Sequence, residues 1–150
     1  MTVVDELNPS GLAIDVRKPS HLLVPTAKNL VAPPPLPGAF SVDHFACYTV
    51  RVTSGTTAFT PVVGLSLQDQ LGDMTVDLRK PKYLCVPVSK NGEDPTAPTH
   101  VEHLTCYQAK QTNQPKFAKR AGVFLRNQFG PEVVDVRKPT DLCIPATIAP

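Results

Sequence analysis

The stretch DLRKPKYLCVP at residues 77–87 decides the fold, because most of it recurs elsewhere in the chain. Its first part, Asp-x-Arg-Lys-Pro, is found at 15–19, 77–81 and 135–139. Each copy continues into Leu-(Leu/Cys)-x-Pro, at 22–25, 84–87 and 142–145. A second motif, His-x-x-Cys-Tyr, occurs at 44–48 and 103–107. A third pair aligns residues 64–72 with residues 122–130. These motifs share nearly the same offset, which indicates a duplicated module.

The motif order divides the chain into copies of one unit. We predict a single repeat domain over 1–150, with its parts as follows: a partial copy at 1–29, a proline-rich connector at 30–43, repeat 1 at 44–88, a second connector at 89–102, and repeat 2 at 103–150. The proline-rich run in the first connector should be extended and semi-rigid.

The local patterns indicate an all-β fold. Apolar and polar residues alternate through each Asp-x-Arg segment, as a strand with one buried face requires. The chain contains 17 prolines, and interior prolines break helices. We expect about four short strands per module, ten or eleven in all, in a β-sandwich or barrel, with a threefold trefoil-like barrel as a lesser alternative. Proline should end each strand after Arg-Lys, because it cannot donate a ladder hydrogen bond.

The repeat also predicts how the cysteines pair. The four are Cys47, Cys85, Cys106 and Cys143. The partial copy has Leu23 where the later copies have cysteine, and it has no preceding His-x-x-Cys-Tyr segment. A bridge inside each full repeat explains this, so we predict disulfides Cys47–Cys85 and Cys106–Cys143. Disulfides favour an oxidising compartment. Zinc binding and reduced thiols are the alternatives.

Composition and motifs restrict the function. The net charge of +2 is too small to indicate nucleic-acid binding, and no apolar run is long enough to insert into a membrane. No catalytic, metal or cofactor motif is present, so we expect no enzyme activity, metal or cofactor. Tyr48 and Tyr107 should pack on the sheet with wet hydroxyl groups.

The repeated basic residues are the candidate binding site. They form a rim that could hold an anion or partner, and they are Arg17, Lys18, Arg79, Lys80, Arg137 and Lys138. Arginine recognises carboxylates and phosphates, so this rim would suit those groups or acidic glycans. The simpler interpretation is that these cations pair with the aspartates across neighbouring strands, on the solvated side.

The motifs at 44–48, 79–87, 103–107 and 137–145 resemble cysteine-containing tandem repeats of secreted or surface proteins from environmental bacteria. The resemblance implies an extracellular or cell-surface location, with the periplasm as an alternative, and implies no active site. We expect a non-catalytic structural or assembly module, either closed within one chain or polymerised into a filament through an open sheet edge. The alternatives are a binding module for glycans or acidic polymers and, less favoured, an enzyme at the repeat junction.

Overall fold

The computed structural model describes residues 1–38 and 42–150, and its secondary structure is almost entirely β. The ten strands of this part are β1 (Thr2–Asp5), β2 (Asn8–Leu23), β3 (Ala27–Asn29), β4 (Phe45–Val52), β5 (Val62–Asp69), β6 (Gly72–Pro87), β7 (His103–Gln111), β8 (Arg120–Asn127), β9 (Gly130–Val136) and β10 (Asp141–Ala149). The described residues also include a 3-10 turn at Ala97–Thr99. The all-β prediction is confirmed. No helix within the described ranges is long and apolar enough to span a bilayer.

Six strands form a closed antiparallel barrel. The larger sheet runs β4-β2-β1-β10-β7-β6-β5, and an additional pairing of β4 with β6 closes its first six strands into a ring. The first strand, β1, pairs with the last, β10, so the partial copy completes the barrel within one chain. Within the described part of the chain, strand β5 pairs with the first half of β6 and with no other strand. The predicted barrel is therefore present.

The third copy departs from the other two. In repeat 2, the hairpin β8–β9 is not part of the barrel. It pairs with β3 in a separate three-stranded sheet. In repeat 1 the corresponding segments are β5 and the continuous strand β6, whereas here residues 137–140 separate β9 from β10. Of the predicted proline-rich connector, residues 32–38 form no strand, and residues 39–41 lie outside the described part of the chain.

The barrel interior is mainly apolar. Alternate residues of each strand point inwards, and the buried members of this set are Val3, Leu12, Ile14, Val50, Met74, Val76, Leu78, Leu84, Tyr107, Ala109 and Ile144. Phe59 packs against both halves of this core. Because every barrel strand contributes to one interior, closure of the ring and burial of the core depend on each other.

The prediction that proline ends each strand is wrong for the first two copies. Strand β2 continues through Pro19, and β6 continues through Pro81. The register with the neighbouring strand shifts on both sides of each proline, which marks a β-bulge there. The prolines themselves stay in register, Pro19 opposite Tyr48 and Pro81 opposite Tyr107. The bulges beside them interrupt the regular ladder, so proline's missing N–H is tolerated there.

Candidate functional site

Two disulfides lie on the outer face of the barrel wall. They join Cys47 to Cys85 and Cys106 to Cys143, the pairs predicted from the repeat. Each bridge connects directly opposite residues of adjacent strands, β4 with β6 and β7 with β10. Since both bridges use all four sulfur atoms, the zinc alternative has no thiolate ligands. Two disulfides indicate an oxidising environment outside the cytoplasm.

An apolar cluster buries three of the four cysteines. Cys47, Cys85 and Cys106 are each at most 1% exposed, whereas Cys143 is exposed. The residues packed against the three buried cysteines are Leu23, Phe45, Tyr83 and Leu104. Leu23, the residue at the cysteine position of the partial copy, thus contributes apolar contact in place of a bridge.

Consecutive copies are joined by the same strand pairing. We call β4 and β7 the opening strands, and the strands that carry Asp-x-Arg-Lys-Pro the motif strands. At the first junction, Ile14 and Asp15 of β2 lie opposite Val52 and Arg51 of β4. At the second junction, residues 76 and 77 of β6 lie opposite residues 111 and 110 of β7. The motif strand of one copy therefore pairs with the opening strand of the next.

Each junction forms an open cleft with a basic lining. The N-terminal cleft has a volume of about 490 Å³ and is lined by residues 49–52 and 80–83 together with Arg17 and Gln108. The C-terminal cleft has a volume of about 460 Å³ and is lined by residues 108–111 and 138–140 together with Arg79, Lys82, Lys116 and Phe117. Lys82 and Gln108 belong to both linings, so the two clefts are adjacent.

The two clefts are copies of one site. Three cationic positions recur at the repeat offsets, and the equivalent pairs are Arg17 with Arg79, Arg51 with Lys110, and Lys80 with Lys138. Together the clefts contain eight of the chain's 15 lysine and arginine residues, and among the residues that the structure describes neither lining includes an acidic one. A concave surface of one charge sign concentrates counter-ions near it.

Most of these cations are not neutralised by a neighbour. Within residues 1–38 and 42–150, no hydrogen bond or ion pair involves the side chains of Arg17, Arg79, Lys80, Lys110 or Lys138. Such groups can bind an external anion without first losing an internal partner.

The other three lining cations have partners. The Nε of Arg51 lies 3.0 Å from the carboxylate of Asp15, and the Nζ of Lys82 lies 3.2 Å from that of Asp141. Lys116 donates to the backbone oxygen of Gln111 at 2.7 Å. Burial alone would lower the pKa of the Lys82 ammonium, but the hydrogen bond and charge of Asp141 raise it above the usual value. Lys82, shared by both clefts, therefore remains positively charged.

The aspartates of the motif mainly accept hydrogen bonds that stabilise the fold. Thr53 and Arg51 both donate to Asp15, and these hydrogen bonds lower the pKa of its carboxyl group. Asp77 accepts the backbone N–H of Gly64 at 3.0 Å, and Asp135 accepts that of Gly122 at 3.2 Å. Both glycines lie at register shifts with positive φ. The cross-strand pairing expected of the aspartates thus occurs only in part, and the motif arginines take no part in it.

Four of the six predicted basic residues line the clefts, and two do not. Arg17 and Lys80 line the N-terminal cleft, and Arg79 and Lys138 line the C-terminal one. In the described structure Lys18 and Arg137 line neither. A cleft needs an arginine from one copy and a lysine from the next, so three motif copies give two clefts. The first lysine and the last arginine are left outside.

Sequence reasoning missed four cationic residues of the clefts. Arg51 and Lys110 lie on the opening strands, at the offset of 59 residues shared by the His-x-x-Cys-Tyr motifs, which could have identified them. Lys82 and Lys116 have no basic counterpart in the other copy, so the repeat contains no signal for them. Each cleft also contains one aromatic ring, Tyr83 or Phe117.

A buried polar network connects β7 to the N-terminal strands of the barrel. The hydroxyl of Tyr107 donates to the carboxylate of Asp5, and Asn8 donates to that hydroxyl at 2.8 Å. Tyr107 is 0% exposed, so the prediction of a wet hydroxyl is wrong for it, while Tyr48 is half-buried. Burial, followed by the hydrogen bond to Asp5, raises the pKa of the Tyr107 phenol far above its usual value.

The structure defines a disulfide-linked all-β repeat protein with two basic clefts. The chain belongs to DUF7450, a family of repeats of unknown function that matches residues 1–116. The matched segment contains both opening strands and the first two Asp-x-Arg-Lys-Pro copies. No curated protein and no solved structure matches the chain.

Proposed function

We propose that this chain is a non-catalytic, extracellular module that binds acidic polymers through its two basic clefts. The observation that supports this most is the recurrence of the unpaired cations: each junction between copies contains an arginine and a lysine without an ionic partner, at equivalent positions. Equivalent neighbouring sites suit a ligand that is itself repetitive, because one chain of the ligand can occupy both sites.

Acidic polysaccharides are the polymer class that fits best. Their carboxylate or sulfate groups match lysine and arginine, and they occur where disulfide-containing proteins occur, outside the cytoplasm. Single-stranded nucleic acid fits less well, because its binding uses several stacked aromatic side chains, and each cleft offers one among its described lining residues. A non-catalytic role is supported by the duplication itself, since both clefts carry similar cations whereas an active site is usually unique.

The test compares three double variants, two in the clefts and one matched control. Variants Arg17→Gln/Lys80→Gln and Arg79→Gln/Lys138→Gln each remove two cleft cations, while Lys18→Gln/Arg137→Gln removes the same residue types outside the clefts. Binding to dextran sulfate and to a polyuronate is measured by calorimetry at several salt concentrations, with neutral dextran as the blank.

We expect each cleft variant to weaken binding about thirty-fold at low salt, if each cation contributes about 1 kcal/mol near an anionic surface. The control variant should bind like the unaltered chain, and affinity should fall as salt rises. Equal weakening by all three variants would show that affinity follows net charge and not the clefts. Tighter binding of single-stranded DNA than of either polysaccharide would contradict the choice of polymer.

A structural role in a repeat assembly is the second candidate. It is favoured by the pairing order, in which the motif strand of each copy needs the opening strand of the next. Light scattering of the purified chain over a hundred-fold concentration range tests it. Growth of large species supports a filament or polymer subunit, and a constant monomer mass contradicts self-assembly.

A further inference from the structure

One edge of the third copy lacks the neighbour that the other copies have. Residues 14–16 of β2 pair with residues 50–52 of β4, and residues 76–78 of β6 pair with residues 109–111 of β7. The equivalent segment of β9, residues 134–136, pairs with β8 along one edge. In the described structure no strand pairs with its other edge.

The apolar side chains of this segment are correspondingly less buried than their counterparts. Val76 and Leu78 are 0% exposed, whereas their counterparts Val134 and Val136 are only half-buried. An unpaired edge with uncovered apolar side chains is a template for an added strand.

The charge at this edge specifies what would pair there. In both existing junctions the motif aspartate lies directly opposite a cation of the opening strand, Asp15 opposite Arg51 and Asp77 opposite Lys110. Asp135 occupies the same position on β9, with its side chain 51% exposed and Lys119 3.6 Å away. A strand that places lysine or arginine opposite Asp135 would complete the pattern.

We propose that the free edge of β9 binds the opening strand of a further repeat unit, and that this pairing creates a third basic cleft around Arg137. The cleft part of this inference rests on the proposed function, whereas the strand pairing does not. A second folded copy of this chain is a poor donor, because β4 already pairs with β2 and β6, and β7 already pairs with β6 and β10.

The first test adds an opening strand as a peptide. Peptide 103–112, carrying Cys106→Ser to prevent thiol exchange, is titrated into the full-length chain, and amide hydrogen exchange locates the contact. We expect slower exchange in residues 134–136, with Lys110 of the peptide opposite Asp135. The peptide with Lys110→Glu should bind the unaltered chain about three-fold more weakly than the peptide with Lys110. The chain variant Asp135→Lys should instead bind the Lys110→Glu peptide more tightly, as expected for a cross-strand charge pair. Protection elsewhere, or equal affinity of both peptides for both chains, would overturn the register.

The second test links the opening strand covalently to the chain, so that the pairing can be detected even if the free peptide binds weakly. A chain lengthened at its C-terminus by a further copy of residues 89–150 raises the local concentration of the opening strand. Exchange at residues 134–136 should slow at least ten-fold relative to the 150-residue chain, and unchanged exchange would overturn the pairing. Arg137→Gln should weaken polysaccharide binding only in the longer chain. Slowed exchange without that effect would overturn the third cleft and leave the pairing intact.

Discussion

The two disulfides offer a sharp test of the structure, because they are nearly equal in loop length but differ in burial. The cysteines are separated by 38 and 37 residues in sequence. Cys47 and Cys85 are both buried, whereas of the second pair only Cys106 is buried and Cys143 is exposed. Replacing each pair by alanine separates the effect of the cross-link from the effect of packing.

The expected losses in the free energy of unfolding follow from loop length and from burial of the sulfur atoms. Cross-linking loops of this length stabilises the folded state by about 4 kcal/mol in the chain-entropy account, the same for both bridges. A buried atom the size of a methyl group contributes about 1 kcal/mol more through packing. Cys47→Ala/Cys85→Ala removes two buried sulfurs, and Cys106→Ala/Cys143→Ala removes one. We therefore expect the first double variant to be less stable than the second by about 1 kcal/mol.

Urea unfolding of both variants measures this difference, and intact mass confirms that the remaining bridge has formed. A larger loss for Cys106→Ala/Cys143→Ala would refute the burial argument. Graded reduction of the unaltered chain gives an independent check. A thiolate must reach a sulfur to attack it, so the Cys106–Cys143 bridge should be reduced first. Alkylation of Cys47 or Cys85 before Cys143 would contradict the assigned exposure.

Two further predictions concern the barrel and its bulges. Tyr107→Phe removes the hydroxyl that binds Asp5, and urea unfolding at pH 7 should show a loss of about 2 kcal/mol. The folded state raises the pKa of the Tyr107 phenol above about 10, its value in the unfolded chain. The unaltered chain should therefore lose stability as the pH rises above about 10, and the variant should lose less. Parallel plots of unfolding free energy against pH for the two proteins would contradict this. Gly64→Ala, at φ +73, should cost about 1 kcal/mol, and Gly64→Asn should cost less because asparagine tolerates that backbone. Equal melting temperatures for the two variants would contradict the bulge assignment.

The repeat predicted the features that depend on comparing copies within the chain. The β class followed from alternation, and the disulfide pairs followed from Leu23, which replaces cysteine in the one copy without an opening strand. Both inferences use residue patterns that can be compared between copies without knowing which strands are neighbours. The same comparison could have placed Arg51 beside Lys110, since the two share the offset of the motifs.

Features that depend on a particular partner strand could not be read from a motif. Pro81 lies inside a strand because the register with β7 shifts around it, whereas the equivalent Pro139 follows the end of β9. Tyr48 and Tyr107 follow cysteine in the same motif, but Tyr107 meets Asp5, which lies 102 residues away. In each case equal local sequences have different neighbours, and the neighbour decides the structure.

The position of the clefts explains why the motif is useful as a repeat. An isolated copy holds half a cleft, because the arginine lies on its motif strand while the matching lysine and opening strand belong to the next copy. The number of clefts therefore rises by one with each junction. Neighbouring opening strands are separated by one motif strand, which sets adjacent clefts about 10 Å apart around the barrel wall. On this geometry, affinity for an acidic polymer should increase with the number of consecutive repeats more steeply than the number of cations, because each added cleft binds a ligand that is already held nearby.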